Sequence, residues 1–314
     1  MRRWSSFRVR YGSVNGTRYG GMLNQIQNKL RTGVHQIRTR FYARSHSWRR
    51  HPLNPQNMPV DVTACDYLKV DEQLRAWTGA AQVPLQNIRI DATAYEEFKQ
   101  QMKLAPIHAV ATSEKVFLEN YLAYKLLDLD PSDVYLDVSQ EESPFPPLYR
   151  KRFGLDVRTR VLPQTASANG RFLAPDAAEI PLPDGSVNKV SLRGVFEHFE
   201  GKVDGRFLRE VRRVLQPGGK CLIMPLHLSE RHLNIIDPLL VRSVDFPIDP
   251  GAITVAEPAL GGRFERVYSP ASLARILVRN MSYSIFKIVG RERIAPDPRS
   301  PVHRLRYALI ASKL

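Results

Sequence analysis

The sequence predicts an α/β fold built on a mostly parallel sheet, and the stretch 176–225 carries most of that prediction. A Pro-Asp-Gly-Ser turn at 183–186 leads into a short apolar run at 189–192. Apolar residues then recur at intervals of three and four, as on one buried face of a helix: Phe207, Leu208, Val211, Val214 and Leu215. A Pro-Gly-Gly break at 217–219 ends this helix before a second apolar run at 220–224. A strand–helix–strand crossover of this length implies parallel strands.

Length and composition favour a globular protein without a disulfide framework, a metal site or a transmembrane segment. The 314 residues suit one large α/β domain with an appendage. The two cysteines, Cys65 and Cys221, lie far apart, which argues against a disulfide framework and a zinc site, and we predict no metal site. No apolar run approaches the ~20 residues that span a bilayer, and the N-terminus lacks the apolar run of a secretory signal. We therefore expect a cytoplasmic protein without a transmembrane segment.

The positive charge is concentrated in a basic N-terminal arm, residues 1–60. This arm holds eleven arginines, one lysine and no acidic residue, which is twelve of the fifteen net positive charges. Within 22–42 an apolar stripe predicts a basic amphipathic helix: Leu23, Ile26, Leu30, Val34, Ile37 and Phe41. The stripe is compatible with packing on the protein's own core, with an anionic membrane surface and with nucleic acid bound through residues 1–50.

The same composition leaves the location of the protein open between alternatives. An arm that is rich in arginine and serine and free of acid also resembles a mitochondrial transit sequence. A membrane-peripheral protein would use the arm as an anchor instead. The terminal tripeptide 312–314 matches a peroxisomal address, but it follows a predicted strand and we discount it.

The rest of the chain divides into two parts. After a proline-dense linker at 51–59, we predict a helical cap at 61–112, in which Thr93 begins a helix over 94–103. The main domain is predicted at 113–314. Its expected elements are a helix that begins at Ser113, strands at 134–138, 155–162 and 171–174, a helix at 148–153, a lid-like insertion at 237–262, and closing strands at 283–289 and 302–310 that form an antiparallel hairpin at one sheet edge.

Residues 113–285 resemble a class I S-adenosylmethionine-dependent methyltransferase of type 11. The matching residues are Asp176-Ala177, the turn 180–186, Phe196-Glu197-His198, and the run 208–219 with its Pro-Gly-Gly end. The resemblance implies a Rossmann-like seven-stranded sheet, mostly parallel, with a C-terminal antiparallel hairpin and S-adenosyl-L-methionine as the cofactor. The loop Ser-Pro-Phe-Pro at 143–146 and the run 264–269 are similar to a subset linked to bacterial polysaccharide biosynthesis.

The resemblance also implies site residues. Asp137 matches the acidic residue at the end of the first strand, Ser139 stands in the loop after it, and Asp176 with Ala177 matches the adenine contact. His198 follows the fourth strand and is a candidate general base, because histidine exchanges protons near neutral pH; Glu197 is a candidate to orient it. For His198 and for Asp176, the alternative is a role in capping or packing.

Two loops depart from the family pattern, and they support a second hypothesis. Ser139 and Glu141 stand where the family has glycines, and 163–165 lacks the usual acid that binds the ribose. The first hypothesis is an enzyme that methylates an oxygen of a sugar, glycan or other small acceptor. The alternative is an inactive methyltransferase-like scaffold that binds RNA, a ribosomal particle or a membrane through its basic arm.

Overall fold

The computed structural model describes residues 65–103, 113–139, 145, 149, 156–161, 179–237, 247–257, 260 and 262–314, all within one compact unit. For the strand at 156–161 it describes the backbone alone. The predictions for the basic arm (1–60), the helix at 148–153 and the strand at 171–174 lie outside these residues.

A seven-stranded sheet forms the centre of the described structure. In chain order its strands are β1 (Leu85–Arg89), β2 (Val134–Ser139), β3 (Asp156–Val161), β4 (Val187–Arg193), β5 (Leu215–Met224), β9 (Met281–Val289) and β10 (Tyr307–Lys313). They lie side by side in the order β1-β9-β10-β5-β4-β2-β3. Only β10 runs antiparallel to its neighbours, so among the described strands the sheet is mostly parallel, as predicted.

Helices cover both faces of this sheet. They are α1 (Tyr67–Ala81), α2 (Ala92–Lys103), α3 (Glu114–Leu127), α4 (Val203–Val214), α5 (Pro270–Ile276) and α6 (Arg291–Ile294). One apolar core joins α1, α4 and α5 to one face of the sheet, and a second joins α2 and α3 to the other. The stripe predicted for α4 is fully buried in the first core. The result is a three-layer α/β/α arrangement.

A smaller sheet stands in and beside the segment predicted as an insertion. It consists of β6 (Leu233–Ile236), β7 (Ile253–Ala256) and β8 (Phe264–Val267), in the order β7-β6-β8. β6 pairs parallel with β7 and antiparallel with β8, with Leu233 opposite Val267. Only β7 lies within the predicted insertion, and β6 and β8 flank it, so the small sheet lies between β5 and α5 in the chain.

The helix starts follow local capping chemistry. The Ser113 hydroxyl accepts from the Val116 backbone N–H, as predicted for α3. Thr93 was the wrong cap for α2, because the Asp91 carboxylate accepts from the N–H groups of Thr93 and Ala94, and the helix begins at Ala92. A carboxylate is also the better partner for the partly positive start of a helix.

Two predictions about the sheet edge were wrong. The segment predicted as a purely helical cap also contains β1, which pairs parallel with β9. The β9–β10 hairpin consequently lies inside the described sheet, with β1 outside it. The last strand begins at Tyr307 because residues Pro301–Arg304 form a 3-10 turn, in which Ser300 caps the N–H of Val302. The seven described strands are thus not the seven that were predicted, since β1 is among them and 171–174 is not described.

The Pro-Gly-Gly break is needed for close packing at the start of β5. Gly218 has φ of +76°, a region that residues with a Cβ rarely adopt. A Cβ on Gly219 would lie 3.0 Å from the Asn188 carbonyl oxygen and 2.9 Å from that of Gln216. Both obstacles are backbone atoms, so the position requires glycine.

No helix in the described part of the chain is both long and apolar enough to cross a membrane.

Candidate active site

The carboxyl ends of β2, β4 and β5 meet at one edge of the sheet, where open α/β sheets bind ligands. Charged side chains gather at this edge although the strands that lead to it are apolar. Asp137 lies near the end of β2, Arg193 ends β4, and His227 follows β5 by three residues. The 3-10 turn Phe196–His198 follows β4 directly and adds Glu197 and His198.

Asp137 and Arg193 form a buried ion pair across β2 and β4. The Arg193 Nη2 donates to both Asp137 carboxylate oxygens, at 2.7 and 2.8 Å, and the side chains are 1% and 3% exposed. The Ser191 hydroxyl donates to the same carboxylate at 3.2 Å. Burial lowers the pKa of Arg193, but the charge of Asp137 raises it more, and the net shift is upward. Asp137 is therefore engaged on both carboxylate oxygens by a side chain of the neighbouring strand.

A hydrogen bond through one ring nitrogen orients His198 and leaves the other ring nitrogen outside that bond. Its Nδ1 lies 2.7 Å from the Phe264 carbonyl oxygen, which can only accept, so Nδ1 carries the proton. In the neutral ring Nε2 then holds the lone pair. The side chain is 32% exposed, unlike its buried neighbours. This arrangement suits a base that takes a proton from a ligand at the sheet edge.

Glu197 lies between two histidines and is closer to His227 than to His198. Its Oε1 is 3.5 Å from His227 Nε2 and 4.0 Å from His198 Nε2. Burial raises the pKa of Glu197, but the hydrogen bond and charge of His227, together with His198, lower it to about 2. Burial lowers the pKa of His227, but Glu197 and Glu265, the latter 4.0 Å away, raise it above its usual value. Each group of the pair therefore favours the charged form of the other.

Two more glutamates add to the acidity of this region. Glu119, on α3, is almost wholly buried, with Lys115 Nζ 3.3 Å from its Oε1. Burial raises the pKa of Glu119, while Lys115 and Arg193 oppose the shift. Burial likewise raises the pKa of Glu200 to about 7 against the opposing charges of Arg263 and Arg266. Each of these glutamates thus has a cation close to it, and burial weakens its negative charge.

The site has room and unsatisfied acceptors for a cationic ligand. Gly194, directly after β4, has φ of +62°, and a Cβ placed there would meet no atom within 4 Å. Glu197 Oε2 is buried and has no hydrogen-bond partner among the described residues. S-adenosylmethionine has a sulfonium cation, an ammonium group and hydroxyl donors, so these residues fit it. In the part of the chain that the structure describes, no cluster of His, Cys, Asp and Glu is arranged to hold a metal ion.

The structure brings together three of the six predicted site residues. Asp137, Glu197 and His198 share the carboxyl edge, although Asp137 is engaged by Arg193 and His198 is oriented by Phe264 and not by Glu197. Asp176 and Ala177 lie outside the described residues, as does the side chain of Ser139. Their roles stay predictions.

Two residues of the site were missed by the sequence analysis. The signal for His227 was its place just after β5, because the ends of neighbouring parallel strands meet at one edge. The signal for Arg193 was a cation at the end of an apolar strand that pairs with the strand of Asp137. Both signals depend on strand order.

The methyltransferase domain family matches residues 115–223. No curated protein matches the chain at a significant level. Three solved structures are similar. An S-adenosylmethionine-dependent methyltransferase from Mesorhizobium loti is 16% identical, with 66% of this chain and 100% of that chain covered and a TM-score of 0.43. The 1,6-didemethyltoxoflavin N1-methyltransferase of Burkholderia thailandensis is 14% identical, with 88% and 86% covered and a TM-score of 0.35. The geranyl diphosphate C-methyltransferase of Streptomyces coelicolor is 13% identical, with 80% and 99% covered and a TM-score of 0.36.

At these scores the three structural likenesses say nothing about which reaction this chain catalyses. The family match spans β2, β4 and α4, and it ends within β5. It therefore includes the Asp137–Arg193 pair and the turn with Glu197 and His198. Residues 115–223 are therefore similar to a methyltransferase domain.

Proposed function

We propose that the protein transfers a methyl group from S-adenosylmethionine to an oxygen of a small hydroxylated acceptor, such as a sugar or glycan. The observation that carries this proposal is the fixed orientation of His198. Its Nδ1 donates to the Phe264 carbonyl at the carboxyl edge of β4, which leaves Nε2 as the basic nitrogen of a partly exposed ring. A hydroxyl needs such a base more than a thiolate does, because it is a weak nucleophile while it keeps its proton.

His198 Nε2 would accept the acceptor's hydroxyl proton while the oxygen attacks. When bound, S-adenosylmethionine supplies the methyl group, and the electron pair of the broken carbon–sulfur bond stays on sulfur. The charge of Glu197, 4.0 Å from Nε2, would stabilise the imidazolium that forms. His227 would hold Glu197 in place through its own ionic contact.

The residues that would hold the cofactor are those with open space or unsatisfied acceptors. Glu197 Oε2 would accept from a donor group of the ligand, and the Gly194 backbone would leave room for it. The Asp137–Arg193 pair would support the floor of the site without direct contact through Asp137. Asp176 and Ala177, with Ser139, remain part of this proposal as predicted cofactor contacts.

His198→Asn is the sharpest test. The asparagine amide can replace Nδ1 as donor to the Phe264 carbonyl, but it has no basic nitrogen. We expect methyl transfer from radiolabelled S-adenosylmethionine, measured on a panel of hydroxylated sugars, to fall about 100-fold or more, within the roughly 10²–10⁴ range of general-base contributions. Affinity for S-adenosylhomocysteine, measured by calorimetry, should change less than about threefold, because the carboxyl edge stays folded.

His303→Gln is the matched control. His303 Nε2 contacts the Ala295 carbonyl, and glutamine can replace that donor. This variant should keep full activity. A His198→Asn enzyme with unchanged turnover would rule out His198 as the base. A wild-type protein that binds no S-adenosylhomocysteine at millimolar concentration would overturn the proposed function as a whole.

A further inference from the structure

A second cavity lies on the other side of β8 from the candidate active site. Its volume is about 480 Å³, which is within the roughly 300–1,000 Å³ of small-molecule pockets. Neighbouring residues of a strand point to opposite faces. Accordingly Glu265 faces His227 in the candidate site, whereas Arg266 lines the cavity. The two sites are therefore separate and share one strand.

The floor of the cavity is a buried network centred on Arg266. Its guanidinium donates to Asp249 at 2.5 and 2.7 Å, to Asp204 at 2.8 Å and to the Gly201 carbonyl at 2.8 Å. The Tyr268 hydroxyl also donates to Asp204, at 2.8 Å. One buried guanidinium thus pairs with both carboxylates of the lining and fixes their positions.

The rim of the cavity carries positive charge that the floor does not neutralise. Lys202 precedes α4, Arg209 lies one and a half turns into it, and Arg275 is near the end of α5. All three are exposed, and none makes an ion pair with the described residues. With Arg266 included, the lining has four cations and two carboxylates, a net charge of +2 with His232 counted as neutral. A dianion is the ligand that this excess favours.

The remaining wall is apolar. Ile276, Leu277 and Val278 line the cavity beside Arg275. Gly205 lies between Arg209 and this wall, since a Cβ there would be 3.7 Å from Arg209 Nη1 and 3.9 Å from the Ile276 carbonyl oxygen. The cavity therefore offers three cations next to an apolar surface.

We propose that this cavity is a second ligand site, which binds the phosphate group of a small phosphomonoester through Lys202, Arg209 and Arg275. Guanidinium groups bind phosphate oxygens in pairs, and a lysine adds a point charge. The apolar wall takes the organic part of the ligand. This site is distinct from the methyl-transfer site and does not depend on its chemistry.

The test is calorimetric titration of the full chain with phenyl phosphate, inorganic phosphate and phenol. Both phosphates should bind, phenyl phosphate more tightly because of the apolar wall, and phenol should not. The double variant Arg209→Gln/Arg275→Gln should weaken phenyl phosphate about tenfold or more, because two charge-assisted contacts are lost. Both residues are exposed, so the fold should survive, and unchanged binding of S-adenosylhomocysteine checks this.

Arg212→Gln/Arg279→Gln is the matched control. It removes the same two charges from α4 and from the chain just after α5, but neither residue lines the cavity. It should leave the affinity for phenyl phosphate within about twofold, since charges outside the cavity lining are screened by salt. Equal weakening by both double variants, or no binding of either phosphate by the wild type at millimolar concentration, would overturn the proposal.

Discussion

The two ends of strand β4 are held by different kinds of contact. At its amino end, Arg213 of α4 donates to the carbonyls of Ile180 and Leu182, at 2.7 and 2.8 Å, and to Asp184 at 2.8 Å. This clamp is partly exposed, with Arg213 31% accessible. At the carboxyl end, Arg193 and Asp137 are buried, and Glu197 has an oxygen without a partner among the described residues.

The contacts at the amino end of β4 stabilise the fold, whereas those at its carboxyl end belong to the candidate site. Glu210 and Arg213, which match the family pattern, fasten the turn before β4, and each of their side-chain nitrogens and oxygens has a partner. The carboxyl end keeps buried charge that its own partners do not fully satisfy. Unsatisfied buried groups are costly, so they are retained where a ligand completes them. Four variants can break or sharpen this contrast.

Arg193→Met should have the largest effect. It leaves the Asp137 carboxylate buried without its cation, and loss of one partner of a buried pair costs about 3–5 kcal/mol of unfolding free energy. Urea unfolding at pH 7 measures this. Adding Asp137→Leu to the same chain should recover much of the loss, because the uncompensated charge is gone. A cost below about 1 kcal/mol for the single variant would contradict burial of the pair.

His227→Gln should be next, with a cost of about 2 kcal/mol that depends on pH. The pKa of Glu197 is lowered in the folded protein to about 2, so its contribution is present above the unfolded value near 4.5 and is lost as pH falls towards 2. The pKa of His227 is raised, so its contribution is present below the unfolded value near 6.5 and is lost as pH rises through the folded one. The difference between variant and wild type should therefore peak between about pH 4.5 and 6.5. A difference that does not vary with pH would mean that the contact is not ionic.

Arg213→Ala tests the amino end. We expect a cost of about 1–2 kcal/mol, since the hydrogen bonds to two carbonyls are lost but the ion pairs are partly screened by water. Arg206→Ala is the control, because its ion pair with Glu179 spans 3.9 Å between exposed groups and its loss should cost less than about 0.5 kcal/mol. Equal costs for the two would remove the structural role assigned to the clamp. Affinity for S-adenosylhomocysteine should be unchanged in both.

Glu200→Gln should have the smallest effect, and it should be stabilising. Burial raises the pKa of Glu200 to about 7, so the folded state binds a proton that the unfolded state releases near pH 4.5, and stability falls as pH rises between these values. The neutral amide removes that loss. We expect a gain of about 0.5–1 kcal/mol at pH 8 and none at pH 4.5. Destabilisation at pH 8 would show that the 3.3 Å contact with Arg263 outweighs burial.

The sequence predicted the parts of the fold that depend on local periodicity. The apolar positions predicted for α4 are wholly buried, although the last of them, Leu215, begins β5, and Ser113 begins its helix as expected. Local pattern could not predict β1, a short edge strand with three exposed residues, whose partner β9 lies about 200 residues away. Pairing of distant strands leaves little trace in a short mixed sequence.

Contacts between residues that are distant in sequence were also what could not be predicted in the candidate site. His198 could be expected at the carboxyl edge from the sequence because it comes shortly after the end of β4. Its hydrogen bond to Phe264 spans 66 residues, and the contact of Glu197 with His227 joins two loops that only the order of strands brings together. Residue type and position therefore predicted which edge carries the chemistry, but not which partners set the charge of each group.

The register of β8 has a consequence for how this chain can change in evolution. Three consecutive residues of that strand serve three purposes: the Phe264 carbonyl orients His198, Glu265 faces His227, and Arg266 organises the cavity floor. A slip of one residue against β6 would turn each side chain to the opposite face. The pairing of Leu233 with Val267 is therefore constrained by two sites at once. Insertions and deletions should be excluded from β6 and β8.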